Sequence, residues 1–152
     1  IRGCLVGSEM CIRDRSLRQA VNLKYLKGKT INIDCDVIQA DGGTRTASIT
    51  GGCVALFLAI KNHHDDHRAI KSFVAAISLG IKENKILLDL DYDEDSSADT
   101  DINIVMNEND ELIEIQGTAE DAPFSKAELV DMLEMGGSAI AELIQKQKAC
   151  ID

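Results

Sequence analysis

The stretch of sequence that decides the fold is QADGGTRTASITGG, residues 39–52. Before it, residues 30–38 (TINIDCDVI) alternate like a β-strand, and after it, residues 54–60 (VALFLAI) are apolar at helical length. Glycines let a backbone approach a ligand closely, a helix N-terminus favours negative charge, and the Arg45 guanidinium can bind a phosphate through two parallel hydrogen bonds. The pattern predicts an anion site. The alternative is an ordinary strand-to-helix turn with Thr44 or Thr46 as N-cap.

A second group of reactive side chains lies in LDLDYDEDSSADTD, residues 88–101, which contains seven carboxylates. Clustered carboxylates repel one another unless they are solvated or neutralised by a cation. Mg²⁺ suits such oxygen ligands, because it binds through one or two carboxylates together with substrate phosphate. Taken by itself, the stretch is either a solvated acidic loop or part of a magnesium site.

Hydrophobic periodicity predicts the order of the remaining elements. We expect the tail of an amphipathic helix at 15–23, a strand at 30–39, a helix at 46–62, a loop at 63–71, a hairpin of strands 73–81 and 85–91, and a second hairpin of 101–106 and 112–118. A final helix opens with Pro123 and a capping box formed by Ser125 and Glu128. Its apolar stripe is core: Leu129, Met132, Leu133, Ile140, Leu143 and Ile144. Strand hairpins with helices on one side give an α+β fold.

Composition limits the possible functions. A chain of 152 residues, 45% of them hydrophobic, can fill the core of one domain, and no apolar run approaches the roughly 20 residues of a membrane span. We therefore expect a soluble protein. The net charge of −10 is unusual for a nucleic-acid-binding protein. Basic residues are concentrated at 13–29, as either a solvated helix face or an RNA contact.

Cysteine and histidine patterns point away from metal or thiol chemistry. None of the five cysteines forms a Cys-x-x-Cys pair, and we interpret Cys35 and Cys53 as buried apolar residues in a reducing cytoplasm. The histidines of residues 63–67 (HHDDH) are read as a polar loop, with metal binding by His63 and His67 as the alternative. No Gly-x-Ser-x-Gly nucleophile motif is present.

Several segments together resemble the ribonuclease PH family: residues 34–37 (DCDV), 39–51 (QADGGTRTASITG), 89–96 (DLDYDEDS), 100–103 (TDIN) and 113–120 (IEIQGTAE). The resemblance runs from about Arg15 to the end. It implies the ribonuclease PH fold, a ribosomal-protein-like βαβ sandwich with a left-handed crossover, here incomplete at the N-terminus. Residues 1–14 have no counterpart in the family and are predicted to be a non-native leader, and 15–152 to be the C-terminal part of a single domain.

The resemblance also implies a reaction and the residues that serve it. Gly43, Thr44 and Arg45 match the residues that bind inorganic phosphate, which is the co-substrate. Asp95 and Asp101 match the aspartates that serve catalysis and hold Mg²⁺, whereas Asp93 and Glu94 are expected to be peripheral. The implied enzyme is a phosphorolytic 3′-to-5′ exoribonuclease and nucleotidyltransferase that trims transfer RNA precursors, acts in tRNA and rRNA processing, and releases nucleoside diphosphates.

Partners follow from the same resemblance. Family members are cytoplasmic hexameric rings that act on RNA 3′ ends, so neither a membrane nor DNA is an expected partner. They carry a further basic half with a second phosphate-contacting arginine, so this chain alone is expected to be inactive. The alternative function is a non-catalytic RNA-channel ring subunit of an exosome-like complex. An unrelated anion-binding domain is less favoured, as is polynucleotide phosphorylase, whose chains carry two such cores.

Overall fold

The computed structural model describes residues 8–63, 67–120 and 122–151, with side chains from Ile12 onward. In chain order the elements are α1 (Ser8–Gln19), α2 (Thr44–His63), β1 (Val74–Lys82), β2 (Lys85–Leu88), α3 (Tyr92–Asp95), β3 (Thr100–Asn107), β4 (Leu112–Ala119) and α4 (Lys126–Ile151). Short 3₁₀ turns lie at Leu23–Leu26 and His67–Ala69.

Strands β1 to β4 form one antiparallel sheet in the order β2-β1-β3-β4, so that β1 and β3 are central. The first eight residues of β1 are all buried. Because side chains alternate between the faces of a strand, Val74 and Ala76 pack toward α2, whereas Ile77 and Leu79 pack toward α4. The expectation of helices on one side only is therefore wrong. A strand that is apolar on both faces needs a helix layer on each.

Helix α2 and helix α1 form the core on one face of the sheet. The buried residues of α2 recur at helical spacing, and they contact α1 through Leu17 and Ala20: Ile49, Cys53, Leu56, Phe57 and Ile60. Gly52 allows a close approach of the two helices, because a Cβ there would lie 3.3 Å from a methyl carbon of Leu17. This packing fixes the direction in which the N-terminus of α2 points.

Helix α4 covers the other face. Met132, Ile140 and Ile144 are buried and the remaining members of the predicted stripe are partly buried, which confirms the stripe as core. The capping box at its start is also confirmed, since the Glu128 N–H donates to Ser125 Oγ (3.2 Å) and the Ser125 N–H donates to Glu128 Oε2 (2.6 Å). None of the described helices combines the length and the apolar character needed to cross a membrane.

The predicted strand at 30–39 is wrong. Ile31, Ile33 and Cys35 are half-buried while their neighbours are exposed, as alternation predicts. No strand among the described residues pairs with them, however, and a β-strand requires a hydrogen-bonded neighbour. The left-handed βαβ crossover is accordingly not assembled in the described part of the chain. The segment instead lies against α2, where Cys35 Sγ contacts Ser48 O at 3.8 Å.

Two smaller differences concern the acidic stretch and the loop after α2. Strand β2 ends at Leu88 rather than residue 91, because Asp89 adopts a positive φ of 58°. The next residues form α3, a single helical turn that was not predicted, although Asp91-x-x-Glu94 is a capping-box pattern. The loop predicted at 63–71 contains the turn His67–Ala69, and residues 64–66 of the histidine cluster lie outside the described residues.

The two cysteines differ in environment. Cys53 is fully buried, as predicted, and desolvation raises the pKa of its thiol to about 11, which makes it an unreactive core residue. Cys35 is only half-buried, because the segment that carries it has no neighbouring strand to cover it.

Candidate functional site

The glycine loop, residues 41–43, leads directly into α2. The first helical hydrogen bond runs from the Ala47 N–H to Gly43 O (2.9 Å), so Gly43, and not Thr44 or Thr46, occupies the N-cap position. The Thr46 hydroxyl donates to the same carbonyl (2.8 Å). Within the helix, the amides of its first turn have no carbonyl one turn earlier to pair with. They form the positive end of a 20-residue helix.

Both glycines of the loop are required by geometry. Gly43 has a φ of 67°, a conformation that costs other residues energy. Gly42 has no positive φ, but a Cβ there would lie 1.8 Å from Leu90 O. The loop is therefore pressed directly against residues 89–91, at the start of the acidic stretch.

A side chain reinforces this contact. Asp41 Oδ1 accepts hydrogen bonds from the Tyr92 N–H (2.7 Å) and the Gly42 N–H (3.0 Å), and so joins the glycine loop to the first residue of α3. Asp91 caps the same turn through the Glu94 N–H (2.8 Å), and Glu94 Oε2 accepts from the Asp91 N–H (3.2 Å). Asp95 is the last residue of α3.

Asp101 lies on β3, paired with Gly80 of β1 and Thr118 of β4. Burial raises the pKa of its carboxyl above the ordinary value, and the negative charge of Asp95 raises it further, while Arg45 lowers it and Glu120 raises it. The backbone contacts agree with this grouping, because a Gly43 Cβ would lie 3.2 Å from Ser78 Oγ on β1, and Ser78 is close in sequence to Gly80, the partner of Asp101. The fold thus brings Arg45, Asp95 and Asp101 into one site, with Gly43 and Thr44 at its edge.

Four of the other acidic residues of 88–101 do not share this environment. Asp91 and Glu94 are engaged in capping α3, and Asp99 Oδ2 accepts from the Glu83 N–H (3.3 Å) in the β1–β2 turn. Asp93 is exposed, and no hydrogen bond or ion pair of its side chain is described. Most of the stretch is therefore structural or solvated, and Asp95 and Asp101 are the carboxylates that converge.

The carboxylates that converge suit a hydrated magnesium ion. Within the described ranges, no three His, Cys, Asp or Glu side chains are grouped closely enough to hold a metal ion unaided. Mg²⁺ commonly binds through one or two carboxylates and completes its octahedron with water and substrate phosphate. Asp95 and Asp101 repel each other in the absence of a cation, so the donor set fits such an ion.

Ser78 was not predicted from the sequence as a site residue, and Asp89 was predicted only as one of the seven carboxylates of the acidic stretch. Ser78 Oγ is buried without a hydrogen-bond partner among the described residues, and it lies 3.2 Å from where a Gly43 Cβ would be. Asp89 Oδ1 is 3.8 Å from the same point. A usable signal existed for Ser78, because it is the polar residue in the otherwise apolar run VAAISLGI.

Arg13 is a further side chain near the loop. It lines a cleft of about 190 Å³ together with Thr44, Arg45 and Ser48. Arg13 falls within the predicted non-native leader, whereas α1 begins at Ser8 and runs through that boundary. The leader boundary itself stays a prediction.

Two sequence models of the 3′ exoribonuclease family match this chain: domain 1 over residues 9–61 and domain 2 over residues 72–139. Together the matches include the glycine loop, Asp95 and Asp101. The chain belongs to the 3′ exoribonuclease family. One curated relative is ribonuclease PH from Syntrophomonas wolfei subsp. wolfei, 52% identical over 141 residues. That match covers 90% of this chain and 59% of the relative, so the chain spans well under two thirds of the relative's length.

Solved structures show the same fold. An archaeal exosome core superposes with a TM-score of 0.71 at 19% identity, covering 92% of this chain and 62% of that one. The Archaeoglobus fulgidus exosome with RNA bound to the active site superposes with a TM-score of 0.70 at 18% identity, and the match covers 96% of this chain and 64% of that chain. Rice (Oryza sativa) Rrp46 superposes with a TM-score of 0.65 at 16% identity, and the match covers 99% of this chain and 69% of that chain. The predicted α+β class and ribonuclease PH fold are confirmed.

Proposed function

We propose that this chain carries the phosphate-binding and acidic parts of the active site of a phosphorolytic 3′-to-5′ exoribonuclease. The observation that carries the proposal is the convergence of Arg45, at the N-terminus of α2, with Asp95 and Asp101. Phosphoryl transfer depends mostly on positioning and charge neutralisation. A site that combines a guanidinium, helix amides and two carboxylates supplies both.

The inorganic phosphate is held by Arg45, by Gly43 and Thr44 beside it, and by the amides of the first turn of α2. One of its oxygens attacks the phosphorus of the terminal phosphodiester of RNA, and the bond from that phosphorus to the 3′-oxygen breaks. The shortened RNA leaves with a 3′-hydroxyl, and the terminal nucleotide leaves as a nucleoside diphosphate. No covalent enzyme intermediate is needed, and the reverse reaction is nucleotidyl transfer.

Asp95 and Asp101 act on the side of the terminal phosphodiester from which the 3′-oxygen departs. When bound, Mg²⁺ neutralises charge on the phosphoryl oxygens, and Asp95 and Asp101 would hold it. The alternative role for Asp101, in place of holding Mg²⁺, is that of a proton donor to the departing 3′-oxygen, which the upward direction of its pKa favours. Ser78 and Asp89 line the floor beneath Gly43.

The finer assignments rest on the relationship to ribonuclease PH. We place the protein in the cytoplasm as a hexameric ring that trims the 3′ ends of transfer RNA precursors and other RNAs. The sequence keeps Thr44, Arg45, Asp95 and Asp101, and a non-catalytic ring subunit has no need of all four. That retention favours the enzyme over the structural subunit.

Substitution of Arg45 tests the proposal in the complete protein encoded by the full open reading frame. Arg45→Ala is expected to raise the phosphate KM and to lower kcat/KM by about 10² or more, because a charge-assisted bidentate contact is lost. Arg45→Lys keeps the positive charge but cannot donate two parallel hydrogen bonds to phosphate. Its phosphate KM should therefore lie between those of the wild type and Arg45→Ala. RNA binding should change little.

Arg68→Ala is the matched control, because Arg68 stacks on Tyr25 at 4.6 Å and follows the opposite end of α2, about 30 Å away along the helix. It should leave the phosphate KM unchanged. Unaltered activity of Arg45→Ala at both low and saturating phosphate would overturn the assignment.

A further inference from the structure

The proposed reaction needs Arg45 and Asp95, which come from distant parts of the chain, to be held at a fixed position relative to each other. Arg45 follows the glycine loop, and Asp95 ends α3, which lies beyond two strands in the sequence. Neither α3, with four residues, nor the loop has a hydrophobic core of its own. Buried Leu90 and Ala98, on either side of α3, pack against Gly80 of β1, and direct contacts between the loop and α3 add to these anchors.

Asp41 makes the hydrogen-bonded contact between these two parts. One carboxylate oxygen accepts from Gly42 in the loop (3.0 Å) and from Tyr92 in α3 (2.7 Å), so a single atom ties the two backbones together. Beside it, the missing side chain of Gly42 lets Leu90 O come close to the loop. Both observations place the loop against residues 90–92.

The charge of Asp41 is unfavourable for anion binding. The side chain is exposed and lies two residues from the N-cap of α2, and a carboxylate near a phosphate repels it. A hydrogen-bond acceptor at this position is useful, whereas a negative charge is not. We infer that Asp41 is a positioning residue that holds the glycine loop on α3 and thereby sets Arg45 relative to Asp95. The inference rests on the proposed phosphate site.

The decisive comparison is between Asp41→Ala and Asp41→Asn in the complete protein. Asp41→Ala removes the acceptor and is expected to weaken binding of inorganic phosphate about tenfold, the usual effect of losing hydrogen bonds to a charged group. Asp41→Asn keeps an acceptor oxygen and removes the repulsive charge, so it should bind phosphate at least as tightly as the wild type. Isothermal titration with inorganic phosphate measures both, and amide exchange at Tyr92 should quicken only in Asp41→Ala.

Asp91→Ala is the control, because the Asp91 side chain accepts from the Glu94 N–H within α3 and not from the glycine loop. It should change the phosphate affinity by less than about twofold. Unchanged affinity in Asp41→Ala overturns the inference, as does an Asn variant as weak as the Ala variant, which would make the charge the important property. An equal loss in Asp91→Ala would assign the effect to the folding of α3.

Failure of the proposed function gives a different result. If Arg45→Ala leaves phosphate binding intact, the phosphate site itself is wrong. If Arg45→Ala abolishes binding and Asp41→Ala does not weaken it, only the positioning role is wrong.

Discussion

At the scale of the residue, Asp101 shows how a reactive site is created by the environment of a common side chain. Its carboxyl is partly buried on a central strand, next to the charge of Asp95, and Arg45 compensates only in part. The pKa of Asp101 is raised as a result. A group whose pKa is perturbed by burial and by a specific charged neighbour is a frequent mark of function.

Asp101→Asn is expected to abolish most phosphorolysis in the complete protein while leaving the fold intact. The amide keeps the shape of the side chain but loses the charge that would hold Mg²⁺ and the proton that the acid could donate. Asp93→Asn is the control, since Asp93 is exposed on α3, and its effect should be mild. Single-turnover release of nucleoside diphosphate measures both, and equal losses would contradict the division of roles.

The same variant should alter stability in a pH-dependent way. Because the folded pKa of Asp101 is above its ordinary value of 3.8, the folded state binds the proton more tightly than the unfolded state. Stability is therefore lost as pH rises through 3.8 toward the folded pKa. Asp101→Asn removes this loss, so its melting temperature should exceed that of the wild type near pH 7 and match it near pH 3. A constant difference at all pH values would argue against the raised pKa.

At the scale of the element, local patterns predicted what depends on neighbours in sequence. The helical spacing of Met132, Ile140 and Ile144 identified the buried face of α4, and the turn residues identified both hairpins. The alternation at residues 31–35 gave the correct buried side but not its pairing, because a strand's partner lies elsewhere in the chain. The α3 turn was missed although its capping pattern was visible.

The site also combines features that neighbours in sequence predict with features that depend on distant parts of the chain. The anion-binding character of the glycine loop followed from residues adjacent in sequence. The meeting of Arg45 with Asp101 could not be worked out from spacing and was implied only by the family resemblance. Ser78 was missed because its burial depends on the loop that lies over it.

Helix α4 offers a matched pair of residues for testing the core. Met132 is fully buried against the sheet, and Met135, one turn later, is 39% exposed. Met132→Ala should lower the free energy of unfolding by about 2–5 kcal/mol because it leaves a cavity, and Met135→Ala by less than about 1 kcal/mol. Urea denaturation measures both. Similar losses would mean that the face of α4 has been misassigned.

At the scale of the whole molecule, the net charge of −10 is the property that conflicts most with an RNA substrate. An RNA-binding surface normally carries clustered lysine and arginine. The described basic residues near the glycine loop include Arg13 and Arg45, which share a cleft of about 190 Å³. We therefore expect much of the RNA affinity of the complete protein to come from outside this chain.

The 152-residue chain alone is accordingly predicted to bind RNA weakly and to release no nucleoside diphosphates in a phosphate-dependent manner. A suitable assay combines the purified chain with a 3′-extended transfer RNA, Mg²⁺ and phosphate, with the complete protein as the positive control. Trimming by the chain alone at a rate comparable to the control would show that its active site is sufficient.

Residues 31–38 lie outside any helix or strand, and this affects the chain's resistance to digestion. Proteases bind substrates as extended strands and cut where exposed backbone is not held in secondary structure, and Ile38 is 99% exposed. Thermolysin, which cleaves before large apolar residues, should nick the chain first before Ile38. The piece that carries α1 would remain packed on α2 through Leu17 and Ala20. The nicked protein should therefore elute from gel filtration as one species and separate into two bands on a denaturing gel.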